Sequence, residues 1–231
     1  MAETVTANHY RAAFERLVEE KGLKNHALMK QWIAGSLPLS VVKAWCKEMY
    51  SWSADVLRGF AAVYLTAPKF QVRHKMILNL AEEHGITELV VRARHADLIK
   101  TCGMALGTPE SEYDSHVPIP EQIALTDRYI ASALTEGYLE GLATIGIEEF
   151  QFAPISATLY DSMIRHYKVA PADAIWFKVH GAADIEHGER ALEDFAAYGP
   201  TPELRDRIVS AASRSLDAMW NWHEGIYRRF Q

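Results

Sequence analysis

Apolar residues recur three and four positions apart along almost the whole chain, which is the period of one face of an α-helix. No stretch shows the strict alternation or the β-branched runs that strands require. The pattern predicts an all-α fold, with helices near Thr4–Glu20, His26–Ala34, Pro38–Thr66, Pro68–Glu83, Glu88–Ala105, Glu121–Gly137, Leu139–His166, Pro171–Tyr198 and Pro202–Phe230. Prolines punctuate it: Pro38, Pro68, Pro171 and Pro202 stand at helix starts, Thr201 is placed to cap the last helix, and Gly199-Pro200 closes the one before. The longest irregular segment runs from Gly107 to Pro120 and contains three prolines, so it is expected to cross between parts of the bundle.

The sharpest polar interruption of this pattern is His180-Gly-Ala-Ala-Asp184-Ile-Glu-His187. At 3.6 residues per turn its two histidines and Asp184 project from one helical face. Ile175, Trp176 and Phe177 before it and Ala191, Leu192 and Phe195 after it turn that face toward a core. Burying an aspartate and two imidazoles requires compensation, and a divalent cation supplies it. Spacing alone fits an ordinary solvated stripe equally well, so the decision rests on matching groups elsewhere.

Such groups exist. Asn79-Leu-Ala-Glu82-Glu83-His84 ends a helix whose inward face is expected to include Met76, Ile77 and Leu80, which makes Glu83 the better placed acid. Glu82, His84 and Glu88 remain competitors for that role. His95 precedes Ile99 and Cys102 on a further helix, where it too faces inward. Glu148-Glu149 sits in the apolar run from Ile145 to Ile155; one of the two is expected to reach water, leaving Glu149, with Glu148 as its rival, to be explained. The resulting set is Glu83, His95, Glu149, His180, Asp184 and His187. Mixed carboxylate and imidazole donors suit iron or manganese and two ions rather than one, whereas the lack of thiolates disfavours structural zinc. The Glu-x-x-His of ferritin-type centres is absent, and Asp184-x-x-His187 is the nearest approach.

The 231 residues, 49% hydrophobic, are enough for a single helical domain spanning 1–231. A net charge of −6 without a basic run excludes nucleic acid as an expected partner. No basic and apolar leader stands at the N-terminus, and no window of about 18 uncharged apolar residues occurs, so no membrane association and a cytoplasmic location are expected. Cys46 and Cys102 lie within amphipathic patterns and read as buried, reduced thiols.

Taken in order, these pieces resemble the haem-oxygenase-like diiron oxidase family, whose relatives include the TenA thiaminases, PqqC and the chlamydial protein associating with death domains. The resemblance covers nearly the whole chain: His26-Ala-Leu-Met-Lys-Gln-Trp32-Ile-Ala-Gly35-Ser-Leu37, Trp45 and Tyr50, Asn79-Leu-Ala-Glu-Glu83, His95-Ala-Asp-Leu, Glu149-Phe-Gln151, and His180-xxx-Asp184-xx-His187. It implies a haem-oxygenase-like seven-helix bundle in which the same six residues hold two irons, cycling between Fe(II) and Fe(III), with O2 as co-substrate. The segment between Glu83 and His95 is longer than in relatives, which keeps the competing acids open.

What the resemblance further implies is oxidation of a small amino-acid- or fatty-acid-derived molecule by C–C cleavage, decarboxylation or N-oxygenation in a biosynthetic pathway. An external electron donor and a homodimer are expected with it. Tyr50, Trp52, Phe152 and Trp176, with Trp45, are the expected pocket walls. Enzymes of the chlamydial type that consume their own side chains to make p-aminobenzoate carry a tyrosine and a lysine where this chain has Met29 and Leu159, so that chemistry is not expected here. The alternatives are a TenA-like thiaminase or aminopyrimidine hydrolase, needing Cys46 or Cys102 as nucleophile, a PqqC-like cofactor-independent oxidase, and a non-catalytic helical interaction protein.

Overall fold

A computed structural model of the chain describes residues 4–87, 90, 91 and 93–231, apart from the side chains at 87, 90, 91, 182, 183 and 186. The predicted helical segments are present: α1 (Ala7–Lys21), α2 (Ala27–Ile33), α3 (Leu39–Asp55), α4 (Leu57–Thr66), α5 (Phe70–Glu83), α6 (His95–Ala105), α7 (Glu110–Asp114), α8 (Pro120–Ala131), α9 (Tyr138–Arg165), α10 (Ile175–Tyr198) and α11 (Pro202–Phe230). None is long and apolar enough to cross a membrane.

Differences from the sequence reading occur where local backbone chemistry intervenes. The predicted helix over Pro38–Thr66 breaks at Val56 into α3 and α4, although the Val56 N–H still bonds the Trp52 carbonyl at 2.8 Å. The expected helix from Glu88 begins only at His95; ahead of it Ile86–Thr87 pairs antiparallel with Val90–Val91 as a two-residue ladder, β1 and β2. Glu88 itself lies outside the described residues. Within the proline-rich crossing, Glu110–Asp114 forms the short α7. Thr201 caps α11 as expected, its hydroxyl accepting from the Leu204 N–H.

Helix α9 is the axis of the bundle. From Leu139 to Gln151 all but one of its residues are buried, because α10, α11 and α4 each cover a side of it. Its contact with α10 is close: a Cβ at Gly146 would come 3.0 Å from the Ala191 Cβ, so a larger residue there would push the two helices apart. Helix α5 stops abruptly after Glu82-Glu83, because Gly85 takes φ +73° and returns its N–H to the Glu82 carbonyl at 2.8 Å. On α5, Met76 and Asn79 are buried, whereas the expected core residue Ile77 is 48% exposed. Beside α10 an aromatic core brings together Trp32, Trp45, Phe152, Trp176 and Phe177, several of them edge to face at centroid separations of 4.8–5.9 Å.

Candidate metal centre

Four helix segments point polar groups into one place beside this aromatic core: the end of α5, the start of α6, the middle of α9 and the middle of α10. Glu83, His95 and His180 each offer a ligand atom within 4.8 Å of the other two. The His95 Nδ1 lies 2.9 Å from the Glu83 carboxylate, and the His95 and His180 rings meet at 4.7 Å between centroids. Two turns further along α10, His187 Nδ1 stands 3.3 Å from Glu149. Asp184, between the two histidines on the same face, is 6% exposed. Of the six sequence-predicted residues, the structure thus groups Glu83, His95 and His180, sets His187 against Glu149, and places Asp184 and Glu149 on the cavity that Glu83 and His180 also line; the three on α10 share a face because 3.6 residues per turn aligns them.

A cavity of about 30 Å3 opens onto this cluster, lined by Glu83, Glu148, Glu149, His180 and Asp184 on its polar side. Trp52, Ser53, Val56, Phe60, Phe152 and Trp176 form its apolar side. Of the expected pocket walls, Trp52, Phe152 and Trp176 are thus in place. Tyr50 is not: it is half-buried and packs on Tyr113 at 5.3 Å, on a face of α3 turned away from the cavity. Trp45 is also absent from the wall, because its indole N–H is engaged by His223 in the core. Cys46 and Cys102 are free, fully buried and outside the cavity lining, so neither is a placed nucleophile.

Two features escaped the sequence reading. Glu148 does not reach water as expected; it and Glu149 are each only 8% exposed, because α9 is covered on adjacent faces rather than along one stripe. The other is the partner of Glu82: kept in the sequence reading only as a competitor to Glu83, this residue places its carboxylate 3.3 Å from His187 Nε2 instead. The acidic doublet on α5 thus splits, Glu83 toward His95 and Glu82 toward His187. His84, the remaining competitor there, is exposed.

The electrostatics show what this cluster lacks. Burial pushes Asp184 and Glu148 well above the ordinary carboxylate range, and Glu149 adds repulsion to both. Glu149 is likewise raised by burial, against the opposing pull of His187. Burial drives His180 down to about 4, and it also opposes protonation of His187, which the Glu149 and Glu82 carboxylates nevertheless raise to about 11. Glu83 feels the same burial but is held below its usual value by hydrogen bonding to His95 and by the neighbouring imidazoles. Acids forced to hold protons in a buried cluster with three imidazoles are a site short of positive charge. Divalent cations supply that charge, and this donor set, free of thiolate, suits iron. His180 is already oriented for it: its Nδ1 bonds the Trp176 carbonyl at 2.9 Å, which leaves Nε2 as the ligating nitrogen.

Comparison with known proteins agrees with this chemistry. Residues 43–220 match the model of a family described as iron-containing redox enzyme. The 4-aminobenzoate synthase of Nitrosomonas europaea is 23% identical over 237 residues, covering 98% of this chain and 94% of the relative. The 4-aminobenzoate synthase of Chlamydia pneumoniae is 20% identical over 210 residues, covering 90% of each. Among solved structures, a protein with a haem oxygenase-like fold from Shewanella denitrificans superposes with a TM-score of 0.78 at 15% identity, covering 97% of this chain and 91% of its own. A TenA homologue from P. horikoshii superposes at 0.75 and 16% identity, covering 97% and 99%. A CADD-like protein from Nostoc punctiforme gives 0.78 at 16% identity, covering 97% and 98%.

Proposed function

Because this chain belongs to the haem-oxygenase-like family of iron-containing redox enzymes, we propose that it is a diiron oxidase: Glu83, His95, Glu149, His180, Asp184 and His187 hold two irons, and O2 oxidises a small organic substrate beside them. The observation that carries this reading is the clustering of Glu83, His95 and His180 within 4.8 Å of one another beside a cavity that Glu149 and the charge-starved Asp184 also line, with His187 against Glu149. Bound iron supplies the open coordination positions and the electrons for activating dioxygen, with an external donor restoring the ferrous state.

The chain's own residues do the rest. Trp176 lies over the His180 ring at 4.0 Å and holds that ring through its backbone carbonyl. Trp52, Phe60 and Phe152 add apolar surface to the cavity lining, which lowers the local polarity so that charge placed there is felt more strongly. The curated relatives are named 4-aminobenzoate synthases. Met29 and Leu159, the positions where self-consuming relatives carry tyrosine and lysine, are both fully buried in the core here. Neither side chain can be donated as amine or ring, so the substrate of this reading is an external, amino-acid- or fatty-acid-derived molecule, oxidised by C–C cleavage, decarboxylation or N-oxygenation.

Anaerobic titration with Fe(II), followed by exposure to O2, tests the proposal. About two irons per chain are expected, with an oxygen-dependent visible absorbance that His187→Ala abolishes. Binding of no iron, or an absorbance unchanged in the variant, sinks it.

A further inference from the structure

Resting on the diiron reading, we infer that Glu82 is a positioning residue for the second iron: it accepts a hydrogen bond from His187 Nε2 and thereby turns Nδ1 toward the metal. A neutral imidazole has one donor nitrogen and one lone pair, so His187 cannot serve a metal with both nitrogens. The two sides of its ring are chemically different. Nδ1 faces Glu149, which lines the same cavity as Asp184, Glu83 and His180; Nε2 faces Glu82, at 3.3 Å, which does not line that cavity. The Glu82 side chain is 36% exposed, against 10% for Glu149, so Nε2 points to the outer side of the cluster. Metal therefore belongs at Nδ1 and the proton at Nε2.

His180 is built on the same logic with the ring reversed, its Nδ1–H held by the Trp176 carbonyl. Each α10 histidine thus has an acceptor fixing the nitrogen that does not bind metal. The acceptor of His180 is backbone and immune to substitution, whereas that of His187 is a side chain. The asymmetry makes the second site the one that depends on a residue outside the ligand set. The abrupt stop of α5 at Gly85 aims the doublet, since adjacent helical positions 100° apart then reach His95 with Glu83 and His187 with Glu82.

The test is a Co(II) titration of wild type, Glu82→Gln and Glu82→Ala, following stoichiometry by calorimetry and ligand-field absorption by spectroscopy, with no turnover involved. Wild type is expected to bind two Co(II) per chain. Glu82→Ala should keep the first ion and bind the second about 10–100-fold more weakly, the usual effect of losing an outer-shell partner of a ligating histidine. Glu82→Gln, whose amide oxygen still accepts from Nε2–H, should recover most of that affinity and the wild-type spectrum. Two ions bound by Glu82→Ala as tightly as by wild type would overturn this inference alone. Loss of the second ion in both variants, with a changed spectrum in Glu82→Gln, would overturn it by making Glu82 a ligand. Failure of wild type to bind two ions would instead overturn the diiron reading itself.

Discussion

Two histidines in this bundle use the same device and end differently. His180 on α10 and His223 on α11 each bond the carbonyl four residues earlier through Nδ1, at 2.9 Å to Trp176 and 2.8 Å to Met219. His223 is fully enclosed and His180 half-buried among the cluster, and burial drives them down to about 3 and about 4 respectively, so both are neutral. The difference lies at the second nitrogen. His223 Nε2 accepts from the Trp45 indole N–H at 3.1 Å, so its ring is satisfied by protein. His180 Nε2 is left to a cluster whose other members are carboxylates and imidazoles. A buried histidine is structural when the fold completes both its bonds; it is a ligand in waiting when the fold completes one.

The comparison breaks most sharply in a pair of alanine variants. His180→Ala is expected to weaken iron binding at least ~10²-fold, since even outer-shell partners are worth about 10–100-fold, and to abolish oxygen-dependent absorbance. Its metal-free melting temperature should stay close to wild type, because an incompletely satisfied group adds little to stability. His223→Ala should do the opposite: metal titration unchanged, but stability lower by about 3 kcal/mol, from a core cavity and an orphaned Trp45 N–H. For a chain of this size that is a drop of roughly 6–12 °C in melting temperature. Equal effects on metal binding from the two variants would erase the distinction.

Sequence periodicity carried far for α10 and less far elsewhere, for a geometric reason. His180, Asp184 and His187 share a face by helix arithmetic alone, and the flanking apolar residues say which way it looks. Glu148 and Glu149 defeated the same logic, because a one-face rule assumes a helix with one buried side, and α9 is enclosed on several. The role of Glu82 depends on how the end of α5 is aimed at α10, a tertiary angle that no local pattern encodes. The ladder at Ile86–Val91 involves only two residues per strand, too few for an alternation to show. Tyr50 was misplaced because aromatic spacing marks a packed face without saying whether the neighbour is a cavity or Tyr113.

A pH series sharpens the comparison at intermediate scale. His187, raised to about 11 by its carboxylate partners despite burial, holds a proton at neutral pH in the metal-free protein, and buried Asp184 is held toward its acid form. A metal ion needs these groups deprotonated, so binding must release protons and affinity must rise with pH, by about tenfold per unit for each proton displaced. Calorimetry of Co(II) binding between pH 6 and 8, in buffers of different ionisation enthalpy, measures that release directly. His223, neutral before and after, contributes none. Affinity that is flat across this range would contradict the protonated state assigned to His187.

The smallest effect expected is also informative, because it separates wall from neighbour on a single helix. Tyr50 and Trp52 are two positions apart on α3 and therefore about 200° apart around it. Trp52 lines the cavity and stacks near Trp222 at 5.7 Å, whereas Tyr50 faces Tyr113 and the Lys100 ammonium. Tyr50→Phe removes only a hydroxyl on that far side, so iron binding and rate of oxygen consumption should stay within about twofold of wild type, the surface-substitution range of ±0.5 kcal/mol. Trp52→Phe changes the shape of the wall itself and should alter oxygen consumption more than iron affinity, since Trp52 touches the space beside the ligands without being one. If Tyr50→Phe proved the more damaging of the two, the cavity would have to extend to the other face of α3, and the substrate with it.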